Sequence, residues 1–187
     1  MAQIKSVRKK FFEVSVPLTA AKVHVYGHTV EQFENQVVKI DLTKSLRGKS
    51  LELRAKIHNN NGALESTPIS LELLGSYLRK AIRKGTDYIE DSFELDCKDA
   101  RIRIKPFLLT RRRVSRAIRN ELRETAHKFI EGYCKVRSAE EIFSDVTANK
   151  IQKELAYKLK KVYPLAFCEI RILEIVPEKK MTEASKS

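Results

Sequence analysis

Apolar and polar residues alternate with period two along much of residues 11–58, most clearly at Ser50–His58. There Leu51, Leu53, Ala55 and Ile57 fall on one side, and Glu52, Arg54, Lys56 and His58 on the other. That spacing predicts a strand with one buried and one wet face. Shorter segments of the same kind precede it at Phe11–Val16, Lys22–Tyr26 and Gln36–Leu42, the last placing Val38, Ile40 and Leu42 together. Asn59-Asn60-Asn61-Gly62 then breaks the alternation, because Asn and Gly adopt positive φ with little penalty.

From Thr67 the period changes. Leu71, Leu74, Leu78 and Ile82 recur at helical spacing, Thr67 can cap, Pro68 suits a first turn and Gly85 offers a stop, so a helix is expected over 67–85. Its last turns carry Arg79, Lys80, Arg83 and Lys84, placed well for the negative end of a helix dipole.

Tyr88–Leu109 reads as paired strands around Lys98-Asp99. With Cys97 opposite Ala100, Asp96 meets Arg101, Leu95 meets Ile102, Glu94 meets Arg103 and Phe93 meets Ile104. Opposite charges then share one face and apolar groups the other, and a slip of one residue would destroy both matches.

The remaining chain is mostly helical in pattern. Val114, Ile118, Leu122, Ala126, Phe129, Ile130 and Tyr133 form one apolar stripe, and Ile151, Leu155, Leu159 and Val162 a second. Ser138 is placed to cap a short helix between them. Tyr163-Pro164 ends the last helix, and Phe167–Val176 supplies a final strand rich in β-branched residues. The expectation is an α+β fold in one domain over residues 1–176, with a polar, frayed tail at 177–187.

Charge adds a partner to this picture. The chain has 187 residues, with 37 Lys and Arg against 24 Asp and Glu, for a net charge of +13. Such a surplus points to a polyanion, and a hydrophobic fraction of 42% excludes a disordered basic arm. No signal-type apolar core stands at Met1–Lys5 and no uncharged run approaches a membrane span, so a cytoplasmic protein is expected. Cys97, Cys134 and Cys168 are widely spaced among apolar residues, as reduced, packed thiols would be.

The basic residues are unevenly spread. Between Arg101 and Arg119 there are eight and no acid. The hairpin register commits Arg101 and Arg103 to carboxylates, leaving Lys105 and, above all, Arg111, Arg112, Arg113, Arg116 and Arg119 at a strand-to-helix junction. Guanidinium groups spaced in this way form a ridge able to bridge successive phosphates. Weaker patches are Lys150, Lys153, Lys158, Lys160 and Lys161 on a helix; Lys44, Arg47 and Lys49 in a loop; and Lys5, Arg8, Lys9 and Lys10 at the start.

Although there are eight Phe and six Tyr, no spaced pair is predicted on an exposed strand, which favours phosphate and shape contacts over base stacking. Catalytic signals are sparse. Asp87, Glu90, Asp91, Glu94, Asp96 and Asp99 could feed a metal-dependent nuclease, but the hairpin gives two of them arginine partners. His24 and His28 lie in an extended segment without a third ligand, and no nucleophile motif or glycine-rich phosphate loop is present. No cofactor and no metal are expected.

These segments together resemble the archaeal and eukaryotic small-subunit ribosomal protein family of eukaryotic-type S-one, formerly S-three-Ae, in a short and divergent archaeal-type form. Arg8-Lys9-Lys10-Phe11-Phe12-Glu13-Val14-Ser15-Val16-Pro17 is similar to the family's basic lead, aromatic pair, short strand and Ala-Pro. Val37–Leu42 is similar to its Val-x-Glu-Val-x-Leu strand. The elements at 69–105 match in order and spacing, Arg112–Arg119 resembles its Arg-rich lead into a helix, and Val162-Tyr163-Pro164-Leu165 with Glu169-Ile170-Arg171 its closing element. The resemblance spans about residues 8–176. In this chain Lys98-Asp99-Ala100 replaces a turn usually containing Asp-Gly, and Val114-Ser115-Arg116 a longer Thr-Ser-Gln stretch.

The resemblance implies an antiparallel β-barrel-like core with flanking amphipathic helices and no catalytic activity. It implies a structural protein bound to small-subunit rRNA on the platform near the mRNA exit, with ribosomal protein neighbours and mRNA within reach. A free RNA chaperone or assembly factor is the alternative.

Overall fold

The structure, a computed structural model, describes residues 8–19, 21–46, 48–60 and 62–176. In chain order these form β1 (Lys10–Val16), β2 (Ala21–Gly27), a 3-10 turn (Val30–Phe33), β3 (Val37–Asp41), β4 (Leu51–Asn60), β5 (Ala63–Leu73), α1 (Gly75–Ala81), β6 (Tyr88–Glu90), β7 (Phe93–Asp96), β8 (Arg101–Thr110), α2 (Arg116–Cys134), α3 (Ala139–Thr147), α4 (Lys150–Leu159) and β9 (Leu165–Ile175). The tail expected at 177–187 and residues 1–7, with Lys5, lie outside the described residues.

All nine strands belong to one sheet, whose main path runs β2-β1-β5-β9-β8-β6. Two long strands branch it. β5 carries β4 along one edge and, on the other, β1 beside Leu64 and Glu65 and β9 beside Ser70–Glu72. β8 carries β9 along one edge and, on the other, β7 beside Arg101–Ile104 and β6 beside Phe107–Leu109. Pairing is antiparallel except between β1 and β5. The architecture is mixed α and β, and among the described residues no pairing closes the sheet into the expected barrel-like core.

The alternating segments form strands for the expected reason: Leu51, Leu53, Ala55 and Ile57 are almost fully buried, while their polar neighbours are not. The helix expected over 67–85 does not form from its start. Residues 63–73 are strand β5, and only the seven residues of α1 are helical. Leu64, Ser66 and Pro68 share the inner face in period two. Pairing then shifts, Ala55 opposing Pro68 and Arg54 opposing Ser70, so Ile69 is an extra residue in a bulge. A bulge tolerates the N–H missing from Pro68 and moves Leu71 and Leu73 onto the inner face. The apparent helical spacing arises because β5 runs almost directly into α1, so Leu71 of the strand falls in step with Leu74 and with Leu78 of the helix.

The β7–β8 hairpin has the expected register at all four pairs. Arg103 lies 2.7 Å from both Glu94 and Glu174, and Arg101 lies 3.1 Å from Glu94. Below the sheet, Leu122, Ala126, Ile130, Phe143, Leu155 and Leu159 of the three long helices pack on Ile102, Ile104, Phe107, Ile170 and Leu173. A smaller cluster, Val14, Phe33, Ile57 and Leu64, holds the β1–β2 end.

Ser138 opens α3 with a reciprocal capping box to Glu141. The three thiols are free, and Cys134 is buried. No helix among the described residues is long and apolar enough to cross a membrane.

Candidate nucleic-acid interface

β8 runs into the core and ends on Thr110, which is fully buried. The Thr110 N–H donates to the Asp87 carbonyl at 2.9 Å. Its hydroxyl accepts from the Asp87 N–H at 3.0 Å and faces two carbonyl acceptors, Arg112 at 2.8 Å and Asp87 at 2.9 Å. The Asp87 carboxylate in turn accepts from the Val114 N–H at 3.0 Å. The three-arginine turn is thus held from the inside by a buried hydroxyl and a carboxylate, while its side chains point outward.

Arg111, Arg112, Arg113, Arg116 and Arg119 are all exposed, and among the described residues none forms an ion pair with a carboxylate. Ser115 caps α2 by accepting from the Ile118 N–H. The first turn of α2 contains no acidic residue, whereas that of α3 carries Glu140 and Glu141. Cations at the positive end of a 19-residue helix are electrostatically unfavourable in isolation and favourable once an anion arrives.

An open groove of about 580 Å³ flanks this turn, lined by Asp87, Tyr88, Glu90, Arg116, Arg119 and Arg123 among others. Tyr88 and Arg123 were not among the candidates read from the sequence. Arg123 continues the face of Arg116 and Arg119 at helical spacing, a signal that was available. Tyr88 reaches the groove only because β6 pairs with the end of β8, Tyr88 opposite Leu109, which no local pattern reveals. Arg123 lies 3.8 Å from Asp91, and Glu90 is bound by Arg171 at 2.9 Å. The candidate nuclease carboxylates are therefore largely engaged, and no group of metal-ligating side chains occurs among the described residues.

The other candidates are scattered over the fold. Lys160 and Lys161 are exposed after α4, and because Thr110 pairs with Leu165 their segment returns to the sheet end that carries the ridge. Lys105 is half-buried in a shallow cleft with Glu90, Asp91 and Arg171. Arg8, Lys9 and Lys10 are exposed at the start of β1, on another branch of the sheet.

The loop patch does not assemble as expected. Lys44 is exposed and Arg47 lies outside the described residues, but Lys49 points inward. Its Nζ lies 2.5 Å from Glu169 and 2.6 Å from Asn149 Oδ1. The sequence shows Lys49 only as one cation in a polar loop, whereas the fold sets it against β9 and the start of α4. In the helical patch, Lys150 pairs with Asp145 at 3.1 Å and the Lys158 ammonium sits 4.6 Å from the Phe129 ring centre.

One expectation about aromatic residues is overturned. Phe11 and Tyr26 face each other across β1 and β2 on the solvent side, with ring centres 4.9 Å apart. They are invisible as a pair in the sequence because the hairpin alone brings them together.

Residues 2–179 match the model of the Ribosomal S3Ae family. The chain is 28% identical over 182 residues to the small ribosomal subunit protein eS1 of Nanoarchaeum equitans, covering 92% of this chain and 91% of that protein. It is 28% identical over 176 residues to the protein of that name from Saccharolobus solfataricus (91% and 82%), and 30% identical over 151 residues to that of Pyrobaculum calidifontis (76% and 67%). The family match spans the ridge, the groove and the whole sheet that presents them, and the chain belongs to the ribosomal S3Ae family.

Proposed function

We propose that this protein is a structural, non-enzymatic constituent of the small ribosomal subunit that binds rRNA through the ridge Arg111–Arg119. The observation that carries the reading is five exposed guanidinium groups, without carboxylate partners among the described residues, on a turn clamped by Asp87 and Thr110. A rigid array of this kind meets phosphates without first losing side-chain salt bridges, and binding releases condensed counterions. Lys160 and Lys161 extend the same end of the sheet, and the Tyr88–Arg123 groove gives the rRNA backbone a concave seat. The family relatives named as small ribosomal subunit proteins support the assembly, cytoplasmic and ribosome-bound, with neighbouring ribosomal proteins. The resemblance in sequence supports a seat on the platform beside the path of mRNA near its exit.

The test is charge reversal at Arg112, Arg113 and Arg116 followed by sedimentation of ribosomal subunits. The variant is expected to leave the small-subunit fraction. Unchanged incorporation overturns the ridge assignment.

A further inference from the structure

We propose that the solvent face of the β1–β2 hairpin is a stacking platform for unpaired RNA bases, with Phe11 and Tyr26 as the stacking rings and Arg8, Lys9 and Lys10 holding the adjoining phosphates. This rests on the RNA-binding reading above but uses a different surface, on another branch of the sheet.

Phe11 is 72% exposed and Tyr26 57%, the largest paired aromatic area open to solvent among the described residues. The rings are tilted by 43° rather than closed face to face, so each keeps an open π surface. They are not loose. Lys10–Val16 and Ala21–Gly27 pair along their whole length, and the inner side of the hairpin is fixed by Val14 and by Phe12 edge-on to Phe33 at 5.6 Å. Exposed aromatic residues on a rigid strand pair stack bases with little ordering cost, and stacking is tolerant of sequence because every base has a π face.

The rim decides between RNA and an apolar protein partner. Arg8, Lys9 and Lys10 are exposed beside the rings, and the Lys9 Nζ lies 5.7 Å from the Tyr26 ring centre. Glu13, the one carboxylate on either strand, is bound by Lys22 at 2.9 Å. The two strands that carry the rings are therefore cationic, with their single anion neutralised, which suits a chain of phosphates carrying stackable bases.

The test uses the full chain and a short oligouridylate carrying one 2-aminopurine, whose emission falls when it stacks. Wild-type protein is expected to quench the probe. Joint Phe11→Ala and Tyr26→Ala substitution is expected to abolish quenching and weaken binding by about fivefold or more, with the slope of log affinity against log salt unchanged because no phosphate contact is lost. Since the chain has no Trp, Phe11→Trp adds a single indole that is expected to retain binding and to be quenched by unmodified oligouridylate. Full quenching by the double variant overturns the platform, as does an indole emission blind to RNA. If the oligonucleotide is not bound while an rRNA fragment still binds through the ridge, the platform fails and the ridge stands. If rRNA binding survives ridge reversal but falls in the aromatic double variant, the ridge fails and the platform stands.

Discussion

The carboxylate of Asp87 accepts the Val114 N–H at 3.0 Å, tying the segment before β6 to the far side of the arginine turn. Together with Thr110 this makes Asp87 a fastener for the ridge. Asp87→Ala leaves Val114 N–H without its partner and is expected to cost about 1–2 kcal/mol, seen as a fall of a few degrees in Tm. RNA affinity should also fall while the salt slope holds, because the arginines remain but are no longer fixed. An unchanged Tm and affinity would show that the turn is held by other contacts.

The ridge itself makes a quantitative prediction. Each phosphate neutralised adds roughly 0.7–0.9 to the slope of log affinity against log salt. Replacing Arg112, Arg113 and Arg116 by Ala is therefore expected to lower that slope by about 2–3 for an rRNA fragment. The same experiment on Arg101 and Arg103, which are already engaged by Glu94 and Glu174, should move it far less.

What the sequence revealed and what it hid follow from the range of the interactions. The Glu94–Arg103 and Asp96–Arg101 pairs were legible because a short hairpin makes cross-strand partners a matter of local counting, and the Ser138–Glu141 capping box because its signature spans one turn. The exposed cluster of five arginines was legible because they are nearly contiguous. Strand β5 was not: it runs almost directly into α1, so Leu71 of the strand falls in step with Leu74 and Leu78 and imitates a longer helix, while the bulge at Ile69 is revealed only by the partner strand β4. Lys49, Tyr88 and the Phe11–Tyr26 pair depend on which strands become neighbours, information carried by the whole chain.

Lys49 is a structural cation, set inward against Glu169 and Asn149. Its ammonium and the Glu169 carboxylate are nearly enclosed, with side-chain exposures of 8% and 15%. Lys49→Met leaves a carboxylate without its cation in the interior and is expected to cost about 3 kcal/mol or more in urea unfolding. Adding Glu169→Leu should restore much of that loss, since the uncompensated charge is then gone. Were the double variant as unstable as the single, the pair would not be the cause.

Burial pushes the Cys168 thiol up to about 12, well above an ordinary thiol. Below pH 9 both folded and unfolded chains keep the proton, so the contribution to stability is fully present. From about pH 9 the unfolded thiol ionises while the folded one does not, and stability is lost as pH rises toward 12, approaching about 1.4 kcal/mol per pH unit. Urea unfolding over this interval is expected to show the extra fall in the wild type and a shallower one in Cys168→Ala. Equal slopes would mean that Cys168 titrates like an exposed thiol.

Gly27 closes β2 directly over Phe33. A Cβ there would collide with Phe33 Cζ and lie 2.9 Å from Cε2, separations no packed carbon tolerates, and the ring is itself buried in the small cluster with Val14, Ile57 and Leu64. Gly27→Ala must therefore displace Phe33, at about 1–3 kcal/mol. Phe33→Leu removes the obstructing ring edge, so the double variant should be more stable than the sum of the two single losses predicts, with a coupling of at least about 0.5 kcal/mol in a urea-unfolding cycle. Strict additivity would show that the sheet end yields instead of the ring. Because Gly27 follows Tyr26 and pairs with Lys10, Gly27→Ala alone should also disturb the aromatic face, weakening oligouridylate quenching, and Phe33→Leu should return it.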